Sequence, residues 1–105
     1  MPNRNISSRE DNSNYRTDLV MDRDRLVNKF KEQHLLTSKG NVRAGMIDNK
    51  YIDGSRYMGC LVHNKREGKG IYYYQNGDIY AGDWSGDIFE GYGMYIYASG
   101  ERYEG

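Results

Sequence analysis

Leu19, Val20, Leu26, Val27 and Phe30 recur at spacings of three, four and seven, and Asp22, Arg23, Asp24, Arg25, Lys29, Lys31 and Glu32 fill the positions between them. Apolar residues at that spacing gather on one side of a helix, so the pattern predicts an amphipathic helix over residues 17–37. Thr17 or Asp18 offers a cap at its start, and Gly40 a stop beyond its end. The stripe of Leu19, Leu26, Val27 and Phe30 must bury itself on something. Upstream, residues 1–16 surround a lone Ile6 and Tyr15 with Asn, Ser, Arg and acidic residues. That is too little apolar surface to offset the entropy of ordering, and the segment reads as a disordered tail. Downstream the period shortens to two. From Gly68 to Tyr74 the chain puts Gly68, Gly70, Tyr72 and Tyr74 on one face, with Lys69, Ile71 and Tyr73 on the other, which predicts a strand.

The strand pattern repeats. Tyr57-Met58-Gly59 recurs as Tyr80-Ala81-Gly82 and as Tyr103-Glu104-Gly105, each 23 residues after the last. Gly68 falls on Gly91, Gly70 on Gly93, Gly77 on Gly100, Tyr72 on Tyr95 and Tyr74 on Tyr97. A fixed phase over so many positions is an internal repeat. Gln75-Asn76-Gly77-Asp78 predicts a tight reversal in which Asn-Gly supplies the positive φ, and Ala98-Ser99-Gly100-Glu101 and Ile52-Asp53-Gly54-Ser55 are its copies. His63-Asn64-Lys65-Arg66 and Ser85-Gly86-Asp87-Ile88 mark the opposite turns. The expected architecture is a mainly β chain, an antiparallel meander of hairpins with about six strands, preceded by the helix and the tail. Residues 38–56 keep only Gly45, Tyr51 and Gly54 in phase, with Ile47 where Gly70 would stand. They read as a degenerate repeat capping the array.

Glycine inside a strand costs stability, so its fixed recurrence implies a close approach of something else. Tyr57, Tyr72, Tyr74, Tyr80, Trp84, Tyr95 and Tyr97 share the glycine face and predict an aromatic trough, a candidate binding surface for another protein. The order Tyr-x-Gly, then Gly-x-Gly, aromatic residues, a turn glycine and a new Tyr-x-Gly resembles the MORN repeat (membrane occupation and recognition nexus). Tyr80-Ala81-Gly82-Asp83-Trp84 matches its opening best, while Leu61 stands where the family usually has Trp or Phe. The resemblance covers residues 57–79 and 80–102 and the opening fragment 103–105. It implies an extended sheet of hairpins used for protein or lipid contacts and for building arrays. It also implies cytoskeletal and ciliary scaffolds, membrane junctions, or repeat regions beside the catalytic domains of longer enzymes.

Composition narrows the chemistry. The net charge is zero, with eleven Lys/Arg against eight Asp/Glu in residues 1–56 and four against seven in residues 57–105, so nucleic acid is not a favoured partner. One cysteine, Cys60, excludes an internal disulfide framework. Cys60, His34 and His63 lack zinc-ligand spacing, and Asp78, Asp83, Asp87 and Glu90 do not make a calcium loop. Gly68-Lys69-Gly70 is not a phosphate loop, having neither the spacing nor the strand-to-helix setting. No cofactor or metal and no catalytic group is expected. The N-terminus lacks the apolar core of a signal peptide, and no stretch approaches the ~20 apolar residues of a membrane span.

The favoured reading is a non-enzymatic structural or adaptor module. A helix or extended segment docks in the Tyr/Gly trough, in a cytoplasmic assembly of cytoskeletal or ciliary (axonemal) type. The helix at 17–37 matches the trough in length and is a candidate occupant, folding back in cis or entering a partner's trough. The C-terminal Tyr-x-Gly offers an edge for self-assembly. Lys65, Arg66 and Lys69 near one turn offer the alternative of peripheral contact with anionic lipid headgroups such as phosphoinositides. A regulatory repeat region of a longer enzyme is the other alternative.

Overall fold

A computed structural model describes residues 22–105. Thr17, Asp18, Leu19 and the tail at 1–16 lie outside the described residues. Six strands form one open antiparallel sheet in chain order: β1 (Met46–Lys50), β2 (Arg56–Val62), β3 (Lys65–Tyr73), β4 (Ile79–Ser85), β5 (Ile88–Ile96) and β6 (Arg102–Glu104). One helix, α1, runs over residues 22–35, α-helical to Phe30 and then a single wide turn over Lys31–Leu35. The N–H of Leu36 reaches back five residues to the Lys31 carbonyl at 2.8 Å and closes that turn.

The hairpin tips follow the 23-residue period in detail. Tyr51, Tyr74 and Tyr97 each accept from the N–H of Gly54, Gly77 and Gly100, and each donates to the carbonyl of Ser55, Asp78 and Glu101. The glycines have φ of +93°, +97° and +101°, the left-handed residue that closes a three-residue hairpin loop. Asn76 itself keeps negative φ. Its contribution is the side-chain carboxamide, which accepts from the Asp78 N–H at 2.9 Å, as Asp53 accepts from Ser55. The reversal at Asn76-Gly77 is therefore one residue longer than an Asn-Gly two-residue turn. The opposite tips, His63-Asn64 and Gly86-Asp87, do have positive φ at both positions.

Gly40 does not stop the helix. Leu36 is already extended and bridges Val42, and Gly40 is the left-handed residue of the small turn Thr37–Asn41. The helix end is completed by Arg43, whose guanidinium donates to the carbonyls of Gln33 (3.0 Å) and Leu36 (3.1 Å).

The helix does not lie on the aromatic trough. Val27 and Leu35 are buried against Met58, Ile71, Ile79, Ala81 and Ile96, with Phe30 packed at the margin and Leu26 half-buried. Met58, Ile71, Ala81 and Ile96 alternate with the tyrosines and lie on the other face of the sheet. Ion pairs border that face: Arg56–Asp48 (2.8 Å), Lys69–Asp83 (2.7 Å) and Arg102–Asp22 (2.8 Å). The aliphatic stripe of α1 thus meets an aliphatic surface. On the glycine side the sheet's own rings lie over Gly59, Gly70, Gly82 and Gly93, and α1 makes no use of that face.

Candidate functional site

Each Tyr-x-Gly opening builds one unit of the glycine face. Tyr57 is fully buried; its ring lies over its own Gly59 and over Gly70, the residue paired with Gly59 on the next strand. A Cβ on Gly70 would stand 2.5 Å from the Tyr57 hydroxyl oxygen and 2.8 Å from its ring. Tyr80 covers Gly82 and Gly93 in the same way, and Tyr103 covers Gly105. The hydroxyls of Tyr57 and Tyr80 donate three residues on, to the carbonyls of Cys60 (2.8 Å) and Asp83 (3.1 Å). Burial pushes both phenols above their ordinary range.

Trp84 sits on this bed rather than in the helix-side core. It meets Tyr57 and Tyr80 edge-on, at 5.9 and 5.1 Å between centroids, and its indole N–H donates to the Gly70 carbonyl at 3.2 Å. Its equivalent one repeat earlier is Leu61, half-buried in the same cluster. Phe89, which alternation alone does not single out, stacks on Tyr80 at 4.1 Å. It occupies the phase of Arg66 and was visible there in the 23-residue alignment.

The remaining tyrosines form a second structure on the same face. Tyr51, Tyr72, Tyr74, Tyr95 and Tyr97 make a continuous ladder across the strands, with successive centroids 6.5, 4.7, 5.8 and 5.1 Å apart. The hydroxyl of Tyr72 donates to Ser55 at 3.2 Å and that of Tyr95 to Asp78 at 2.8 Å, both to the residue 17 positions earlier. Burial and the bond to Asp78 push the Tyr95 phenol up to about 12, and burial, with the neighbouring Tyr72, Tyr80 and Asp78 acting against Arg66, takes Tyr74 to about 12. Accepting from Tyr95 holds the Asp78 carboxyl below the usual range. Ser55 and Asp78 hold these hydroxyls in place, a role that their positions in the hairpin turns do not signal.

The three candidate headgroup cations are not brought together. Lys69 faces the helix side, paired with Asp83. Arg66 lies in the trough, its guanidinium over the rings of Tyr72 (4.7 Å) and Trp84 (4.6 Å) and bonded to the Asp87 carboxylate at 2.9 Å. Lys65 stands exposed at the hairpin tip. Strand alternation separates positions 66 and 69, so the cluster inferred from their nearness in sequence does not form. Among the described residues there is no group of His, Cys, Asp or Glu arranged to hold a metal ion, and no helix long and apolar enough to cross a membrane.

Residues 57–79 and 80–102 each match the family model of the MORN repeat. No curated protein matches the chain. MORN repeats are protein- or lipid-binding modules, a binding type of repeat rather than a catalytic one. With tyrosine, glycine and turn geometry recurring at the matched period, residues 57–79 and 80–102 of this chain are two MORN repeats.

Proposed function

We propose that the chain is a non-enzymatic interaction module whose Tyr/Gly face receives a segment of another protein. The observation that carries this reading is the division of the sheet: α1 covers the aliphatic face, while the aromatic face stays open among the described residues. Tyr51 and Tyr97 are 41% and 48% exposed on that face, and a broad exposed aromatic surface on a folded domain marks a contact site. The dispersal of Lys65, Arg66 and Lys69 weighs against an anionic membrane as the ligand. We place the module in a cytoskeletal or ciliary assembly, on the strength of its likeness to scaffold repeats.

The test is a photo-crosslinker, benzoylphenylalanine, at Tyr97 and, as control, at the exposed Lys29 of α1. Discrete protein adducts from Tyr97 alone support the reading. Adducts to lipid, or none, overturn it. Retention of the tagged protein in a detergent-insoluble, salt-washed pellet checks the location, and release into the soluble fraction contradicts it.

A further inference from the structure

Tyr51, Tyr74 and Tyr97 occupy the same position at three successive hairpin tips. Two strands at about 4.8 Å each set their spacing at about 9.6 Å. A polyproline II helix advances about 9.3 Å in its three-residue turn, so every third residue meets the next tyrosine with about 0.3 Å of slip. An α-helix returns to one face after seven residues, about 10.5 Å on, and slips roughly three times as far at each tip. An extended strand alternates faces at about 3.4 Å per residue and brings no same-face residue near 9.6 Å.

The chemistry agrees with the spacing. A polyproline II backbone has unpaired carbonyls. Among the described residues, the hydroxyls of Tyr51, Tyr74 and Tyr97 make no side-chain hydrogen bond, in contrast to Tyr72 and Tyr95. The rings form a continuous, tilted series, with Tyr72 and Tyr95 between the tip tyrosines. Along the tips the carboxylates of Asp53 and Glu101 are exposed, with Asp78 bonded to Tyr95 between them and Lys50 beside Tyr51, and the exposed carboxylates complement a segment flanked by basic residues. We infer that the tyrosine ladder is a docking site for a proline-rich segment in the polyproline II conformation, with lysine or arginine beside the prolines, lying across the strands.

This inference rests on the protein-binding reading of the same face and names the conformation of its ligand. The probe is a fluorescein-labelled decaproline with a lysine at each end, followed by anisotropy against the whole protein. An amphipathic helical peptide of equal length is the comparison. Saturable binding of the decaproline is expected, weakened about tenfold in the double variant Tyr51→Ala/Tyr97→Ala. Both residues are part-exposed at tips, and an unchanged melting temperature separates lost contact from lost fold. A Tyr74→Phe variant keeps the ring and is expected to bind about threefold to fivefold more weakly through the lost hydroxyl donor. No decaproline binding by folded protein, equal binding of the helical peptide, or indifference to the double variant overturns the inference. If the Tyr97 crosslinker still captures a protein in that event, the interaction reading stands and only the ligand's conformation is wrong.

Discussion

Gly68 and Gly70 are two residues apart on β3 and are glycine for different reasons, which a substitution series separates. Gly70 has ordinary strand φ, so an alanine there meets no backbone barrier, but its Cβ would lie 2.5–2.9 Å from the hydroxyl and ring of Tyr57. Tyr57 is fully buried, hydrogen-bonded to Cys60 and flanked by Trp84 and Tyr72; the ring has nowhere to move. Overpacking of this kind costs about 1–3 kcal/mol, and displacing the hydroxyl from its acceptor adds about 1 kcal/mol. Gly70→Ala is therefore expected to cost about 2–4 kcal/mol, a fall in Tm of roughly 10–25 °C for a domain of this size. Gly68 has φ of +69° and nothing within 4 Å of an added Cβ, so Gly68→Ala costs about 1–2 kcal/mol of backbone strain alone. Asparagine, which tolerates the left-handed region, recovers part of that loss at position 68 and none at 70. Urea denaturation followed by Trp84 fluorescence measures all four variants. A Gly70→Ala cost below ~1 kcal/mol, or asparagine equally tolerated at both sites, would refute the assignment of the glycine bed to ring packing.

Further consequences concern the core, the indole and pH. Leu35→Ala removes a fully buried side chain between α1 and the sheet and is expected to cost about 2–5 kcal/mol, read by thermal melting, with increased dye binding to the exposed aliphatic face. Trp84→Phe keeps the ring contacts and loses the donor to the Gly70 carbonyl; a cost of about 1–2 kcal/mol is expected, and a neutral result would mean that this bond contributes nothing. The phenols of Tyr74 and Tyr95, raised to about 12, favour the folded state while protonated. Their contribution is complete below the unfolded tyrosine pKa near 10 and is lost as pH rises through their folded values. Phenolate absorbance during an alkaline titration should therefore show a late fraction that coincides with unfolding. The carboxyls of Asp48, Asp78 and Asp87 are depressed and act in the opposite sense, adding stability above their unfolded pKa that fades as pH falls through the folded values.

The fold was legible because the repeat writes each element more than once. Period-two alternation gave the strands, and glycine phase gave the tips, including the decayed one at Tyr51–Ser55. The face chosen by α1 was not legible. Both faces of β3 carry apolar residues, and the deciding fact is the ring of Tyr57 lying across a strand boundary on Gly70, a contact invisible to local patterning. The Asn76-Gly77 turn was misjudged for a related reason: the carboxamide bond to Asp78 favours the longer loop over the two-residue reversal that Asn-Gly ordinarily signals. The split between Arg66 and Lys69 was present in the sequence as opposite parity within one strand. Treating both as turn residues hid it.

A consequence of the glycine bed is that the open face is recessed over the glycines, with a cavity of about 440 Å³ lined by Tyr80, Phe89, Gly93, Tyr95, Tyr97 and Tyr103. The rings of Tyr57 and Tyr80 each lie on two glycine backbones and that of Tyr103 on Gly105, while the ladder tyrosines lean on one another. The aliphatic face, with Met58, Ile71 and Ile96 on it, is the one that meets the aliphatic stripe of α1. The trough is in turn bounded at one end by Ile47, which stands in the phase of Gly70 and Gly93 and packs on the Tyr57–Trp84 cluster. A Tyr ring cannot lie down over Ile47 as it does over glycine, so the bed ends at β1. A limited run of rings with hydroxyls along one margin suits the pyrrolidine rings and unpaired carbonyls of a polyproline II segment.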